Sequence, residues 1–134
     1  MILLDTCALL WIMNKEPVLP AALSAVERAA RAGELYASPV SAWEIGMLAR
    51  RGRLVLDVSA EVWVSRAFSH PGVQIAALTP EIAVRSSQLP GTLQGDPADR
   101  MLIATAMLMG LKLMTRDRRI LEYAAQGHLP VMAC

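Results

Sequence analysis

Short apolar runs at residues 2–5, 34–37, 73–78 and 112–115 alternate with longer segments of helical character. Each run is strand-sized, and each intervening segment is long enough to cross back over a sheet. Alternation of this kind predicts an α/β fold with a mainly parallel central sheet. Residues 131–133 add a candidate edge strand. A length of 134 residues suits one compact domain spanning the whole of 1–134.

The helices carry their own punctuation. The first runs over residues 6–13 and is broken by Pro17 and Pro20. The second covers 21–32, with Pro20 in its first turn and Gly33 as its stop. Ser41 reads as the cap of a third helix that ends at Gly52, with Glu44 three residues on as in a capping box. Ser59 opens a fourth, closed by His70-Pro71-Gly72, and Pro80 starts a fifth through Ser87. A Pro- and Gly-rich loop at 89–95 precedes the longest apolar helix, 97–110, and a last helix covers 117–125.

Hydrophobic residues make up 54% of the chain but aromatic ones only 4%, so the core is mostly aliphatic and methionine. Trp11, Trp43 and Trp63 are assigned to that core. A net charge of +1 does not announce a nucleic-acid binder, and it does not exclude one, because distribution outweighs the sum. Arg50, Arg51 and Arg53, and again Arg116, Arg118 and Arg119, read on composition as two solvated patches. Cys7 and Cys134 form neither a disulfide framework nor a zinc site and read as reduced thiols. The N-terminus lacks a basic region, and the longest apolar run falls short of the roughly 20 residues that span a bilayer. A soluble cytoplasmic protein without membrane contact is expected.

Five acids stand where helices and strand ends meet. Asp5 ends the first strand, at the edge where parallel sheets bind ligands, and it also suits an N-cap. Glu44 is either the partner of Ser41 or an inward-facing acid. Asp96 can cap the long helix, with Pro97 at its first position and Asp99 favouring the helix dipole at its third. Asp117 follows the fourth strand and can cap the last helix. Each has a structural excuse alone, yet three of them come from loops that share one sheet edge. Converging carboxylates repel, and a hard divalent cation such as magnesium or manganese relieves this. His70 and His128 lie far from the acids in sequence and read as surface residues, so nothing favours zinc.

Taken in order, Met1-Ile2-Leu3-Leu4-Asp5-Thr6, Ser41-Ala42-Trp43-Glu44-Ile45, Asp96-Pro97-Ala98-Asp99-Arg100-Met101-Leu102-Ile103-Ala104 and Thr115-Arg116-Asp117 resemble the PIN-domain family, and within it the VapC-like toxins of bacterial toxin–antitoxin pairs. The resemblance covers almost the whole chain. It implies a three-layer α/β/α sandwich whose acidic site binds Mg2+ or Mn2+ and cleaves RNA. By the same resemblance Asp5, Glu44, Asp99 and Asp117 are the catalytic acids, with Asp5 and Asp99 on the metal. Asp96 is auxiliary, Thr6 and Thr115 hold carboxylates or water, and Arg100 joins Arg116, Arg118 and Arg119 as a candidate for substrate phosphates or ion pairs. The implied products carry a 5′ phosphate and a 3′ hydroxyl. Implied partners are an RNA substrate, a cognate VapB-like antitoxin and a second copy in a homodimer. Cys7 and Gln94 stand where comparable sequences often carry His.

Two other classes compete. A non-catalytic RNA-binding or interaction domain would keep the fold without the acids. A magnesium-binding phosphoacceptor domain would need adjacent acids after the first strand and an acceptor Asp after a middle strand. Here Thr6 follows Asp5, and residues 73–78 end without an Asp.

Overall fold

The computed structural model describes residues 1–93 and 95–134, so Gln94 lies outside the described residues. The elements follow in the order β1 (Ile2–Leu4), α1 (Thr6–Met13), α2 (Pro20–Ala32), β2 (Leu35–Ala37), α3 (Pro39–Arg50), α4 (Ala60–Phe68), β3 (Val73–Ile75), α5 (Pro80–Ser86), α6 (Pro97–Met109), β4 (Lys112–Thr115), α7 (Arg118–Ala124) and β5 (Val131–Ala133). Every strand pairing is parallel, and the strand order is β3-β2-β1-β4-β5. The expected fold is therefore the observed one, with 131–133 as the edge strand.

Both faces of the sheet are buried, which is why its central strands are continuously apolar. Neighbouring residues on a strand point to opposite faces. Leu4 and Met114 accordingly join Leu9, Val26, Ile45 and Trp63 in one core. Leu3 and Leu113 join Leu102, Ile103, Ile120 and Tyr123 in the other. Helices on each side complete the three layers.

One helix starts earlier than the sequence reading places it. Ser38, not Ser41, caps α3, accepting a hydrogen bond from the Val40 amide at 3.1 Å, and Pro39 occupies the first turn. Ser38-Pro39 is a stronger start signal than Ser41, because proline's fixed φ and missing N–H suit that position. Ser41 thereby moves into the helix, where it is fully buried, and Glu44 loses its capping role. At the other end of the sequence α6 behaves as read: Asp96 caps it, Pro97 follows, and Gly110 ends it at φ 67°, a left-handed value that disfavours any residue with a Cβ.

The chain winds from β1 toward β2 and β3 on one side, and returns to β4 and β5 on the other. β1 and β4 thus form the point where the winding direction reverses. In open parallel sheets ligands bind beyond the carboxyl ends of the strands at this point.

Candidate active site

Asp5 leaves β1 at that reversal point, and its amide donates to the Met114 carbonyl of β4 at 3.1 Å. It caps α1: its Oδ1 accepts from the Ala8 amide at 2.7 Å. The side chain is only 6% exposed. Burial raises its pKa above the ordinary 3.8, opposed by the Thr115 hydroxyl and the Ala8 amide, while the Asp117 charge adds to the rise. Thr115 itself is fully buried, and its Oγ1 accepts from the Asp117 amide at 3.0 Å. One hydroxyl therefore ties the acid after β1 to the acid after β4.

Thr6, the next residue, reaches α3. Its hydroxyl donates to Glu44 Oε1 and lies 3.0 Å from the Ser41 hydroxyl. A hydroxyl has one proton to give. With that proton on Glu44, the Ser41 hydroxyl is the donor of the second bond. Glu44 is an inward-facing acid held across elements. Its pKa is raised, first by burial and then by the charges of Asp96 and Asp5, with the Thr6 bond working the other way.

Asp99 sits in the first turn of α6, and its amide donates to Asp96 Oδ1 at 2.9 Å. Its carboxyl is pushed up to about 7, by burial first and then by the charges of Asp96, Glu44 and Asp117. Asp117 caps α7, its Oδ1 accepting from the amides of Arg119 and Ile120 at 2.8 and 3.4 Å. The Arg119 guanidinium lies 3.7 Å from its Oδ2. The capping roles open at the start are thus real for Asp5, Asp96 and Asp117, and all three still face the cleft. A cap engages one carboxylate oxygen, and the second oxygen of Asp117 lies toward the Arg119 guanidinium.

These side chains meet in one cleft of about 300 Å³, lined by Asp5, Thr6, Glu44, Asp96, Asp99 and Asp117 together with Cys7, Trp11, Arg116 and Arg119. Arg116 bridges the rim: it donates to the main-chain oxygen of Cys134 at 2.9 Å and stacks over Trp11 at 3.9 Å from the ring centroid. Partial burial and the surrounding acids push the Cys7 thiol up to about 11, so it stays protonated at neutral pH and is no thiolate nucleophile. Neither histidine lines the cleft.

Arg100 is placed elsewhere. Its Nε donates to the Ser86 carbonyl at 2.9 Å and a terminal nitrogen to the Leu93 carbonyl at 3.2 Å, bracing α5 and the following loop. It lines no part of the cleft. Arg118, too, is absent from the lining, whereas Arg116 and Arg119 belong to it. Three features were not legible in the sequence: the Thr6–Ser41 contact, the Arg116–Trp11 stack, and the exposure of Trp43. Only the first left a usable signal, the Ser38-Pro39 start that turns Ser41 inward.

The donor set is all oxygen and all acidic, which suits a hard divalent cation rather than zinc. Among the described residues no three acid, His or Cys side chains close around a single point.

A parallel α/β/α sandwich with an acidic cleft at its reversal point defines the class: a small domain built to bring carboxylates together at one sheet edge. The chain belongs to the PIN domain family, whose model matches residues 2–126. It is 34% identical over 120 residues to Ribonuclease VapC22 of Mycobacterium tuberculosis, covering 89% of this chain and 88% of that protein. Solved structures share the fold. VapBC2 from Rickettsia felis, bound to a DNA fragment from its promoter, aligns with a TM-score of 0.71 at 15% identity, over 99% of this chain and 98% of that one. FitAcB from Neisseria gonorrhoeae aligns with a TM-score of 0.64 at 21% identity, over 98% of this chain and 96% of that one.

Proposed function

We infer that this chain, acting as one domain over 1–134, is the toxin of a toxin–antitoxin pair: an endoribonuclease that hydrolyses RNA phosphodiesters with Mg2+ or Mn2+ as cofactor and a VapB-like antitoxin as partner. The observation that carries the reading is the meeting of Asp5, Glu44, Asp99 and Asp117, from four separate parts of the chain, in one cleft of a chain related to a named ribonuclease. A non-catalytic domain has no need to gather acids whose pKa values are raised first by burial and then by one another's charge.

When bound, the cation neutralises the phosphate and acidifies a water. Asp5 and Asp99, which both line the cleft, would hold it through their carboxylates. Thr115 and the Ala8 amide fix the Asp5 carboxylate. Thr6 fixes Oε1 of Glu44, leaving Oε2 to orient water. Asp117 and Asp96 keep one oxygen on their helix caps and turn the remaining charge to the cleft, directly or through water. Arg116 and Arg119, held on the rim, offset the crowded negative charge and stand where a phosphate enters. Water attacking in line leaves a 5′ phosphate and a 3′ hydroxyl.

The test is cleavage of single-stranded RNA by the purified chain with Mg2+ or Mn2+, beside Asp5→Asn. Cleavage by the parent and its loss in a variant that melts at a comparable temperature support the reading. An equally active, folded variant overturns the assignment of Asp5, and an inactive parent overturns the ribonuclease.

A further inference from the structure

We propose that Trp43 is a stacking platform for a base of the RNA substrate, seated beside the acidic cleft; the proposal rests on the ribonuclease reading above. Trp43, expected in the core, is 59% exposed, although its neighbour Glu44 lines the cleft. It stands on a ridge shared by two depressions. One is a hollow of about 280 Å³ walled by Trp43, Val40, Leu78, Pro97, Ala98 and Met101. The other is a groove along α3 bordered by Trp43, Gly46, Met47, Arg50 and Arg51.

The hollow adjoins the cleft through shared elements. The first turns of α3 and α6 wall the hollow with Val40 and Pro97-Ala98, and the same two helices supply Glu44, Asp96 and Asp99 to the cleft. A polynucleotide with a phosphate among the acids therefore has its adjacent base within reach of Trp43. The hollow is lined by apolar side chains, so it accepts a base by shape and stacking and reads little of its hydrogen-bonding edge.

The groove supplies the backbone track. Trp43, Gly46, Met47 and Arg50 follow the i, i+3, i+4, i+7 spacing of one helix face. Seven residues of helix carry this stripe about 10 Å away from the ring. Arg50 and Arg51 are exposed and have no carboxylate partner among the described residues. Unpaired arginines beyond an exposed indole match the chemistry of single-stranded RNA, where aromatic rings take bases and guanidinium groups take phosphates.

The experiment measures binding of a fluorescein-labelled, mixed-sequence single-stranded oligoribonucleotide in EDTA, and cleavage of the same oligonucleotide with Mg2+. The proteins are the parent, Trp43→Ala, Trp43→Phe and the double variant Arg50→Ala/Arg51→Ala, each checked by circular dichroism and sedimentation. Loss of one base stack weakens binding roughly 5- to 150-fold in Trp43→Ala and raises KM. Trp43→Phe recovers much of this. The double variant lowers the slope of log Kd against log salt by roughly 0.7 for each phosphate no longer neutralised. Unchanged binding and KM in a folded Trp43→Ala overturn the proposal, even where the parent cleaves RNA. So does a fall in oligomeric mass that accounts for the whole loss, which assigns the ridge to a second copy. A parent that binds through Trp43 but never cleaves overturns the ribonuclease reading and leaves the base platform standing.

Discussion

The Thr6 hydroxyl donates to the Glu44 carboxylate across 38 positions of sequence. The bond ties the first turn of α1 to the second turn of α3, and Ser41 closes the same small network. Both hydroxyls are buried, so neither has water to fall back on. Glu44 is thus aimed by a hydroxyl that belongs to a different helix.

Thr6→Val keeps the shape of the side chain and removes the donor. Glu44 is then free to swing, and Ser41 loses its acceptor. Losing a buried hydrogen bond costs about 1–2 kcal/mol of stability. Removing a hydrogen bond that orients a metal-site carboxylate costs about 10–100-fold in activity or metal affinity. Thr6→Ser restores most of both. Cleavage rates across a Mn2+ titration, beside thermal melts, check the pair.

Burial of the acids, with their neighbours' charges added, makes the metal-free protein sensitive to pH. Asp99 moves from an ordinary 3.8 to about 7 in the fold, mainly through burial. The folded state therefore holds its proton more tightly than the unfolded chain does. That contribution to stability is fully present below about pH 4 and is lost as pH rises through about 7. Asp5 and Glu44 shift in the same direction. In EDTA the melting temperature is thus expected to fall between pH 5 and pH 8, and Asp99→Asn to flatten that fall. Mg2+ or Mn2+ favours the deprotonated carboxylates, so it stabilises more at pH 8 than at pH 6 and releases protons on binding. Melts across pH with and without metal decide the point.

Most of this fold could be read from the sequence because its signals are local. Strand-sized apolar runs, Pro97 after Asp96, and Gly110 after the apolar helix each name their own element. Asp5 and Asp117 are legible because strand ends of a parallel sheet converge by topology, and Asp96 and Asp99 because they mark the start of the apolar helix α6. What escaped depends on register and on partners far along the chain. Reading α3 from Ser41 instead of Ser38 turns Glu44 into a cap and hides its bond to Thr6. Arg100 and Arg116 look alike in sequence, each beside an acid, but one grips carbonyls behind α6 while the other stands on the rim. Trp43 shares its residue type with the buried Trp63 and not its environment, because its ring stands out from the helix face instead of packing inward.

Caps and charges can be separated at Asp96 and Asp117. Asparagine caps a helix about as well as aspartate but carries no charge. Asp96→Asn is therefore expected to melt like the parent and to change cleavage little, since this acid is the most exposed of the group and holds the Asp99 amide. Asp96→Ala loses that bond and about 1 kcal/mol. Asp117→Asn keeps its bonds from Arg119 and Ile120 but removes charge from the cleft. Its stability is expected to hold while activity falls. Equal activity in Asp117→Asn and the parent would leave Asp117 as a cap alone.

Arg116 couples the rim of the cleft to its acids, because it is exposed and yet held. Its guanidinium lies over Trp11, reaches the main-chain oxygens of Cys134 and Pro17, and lowers the pKa of Asp5. Lysine keeps the charge but not the planar fork or the stack. Arg116→Lys is expected to lose about 0.5–1 kcal/mol of stability as the stacking over Trp11 weakens, and to retain part of the activity. Arg116→Ala removes the charge as well. Asp5 then holds its proton more tightly, so the pH at which cleavage reaches half its maximum moves upward in Arg116→Ala and stays near the parent value in Arg116→Lys. A pH–rate profile that is the same in all three proteins would show that the rim arginine acts on packing and not on the acids.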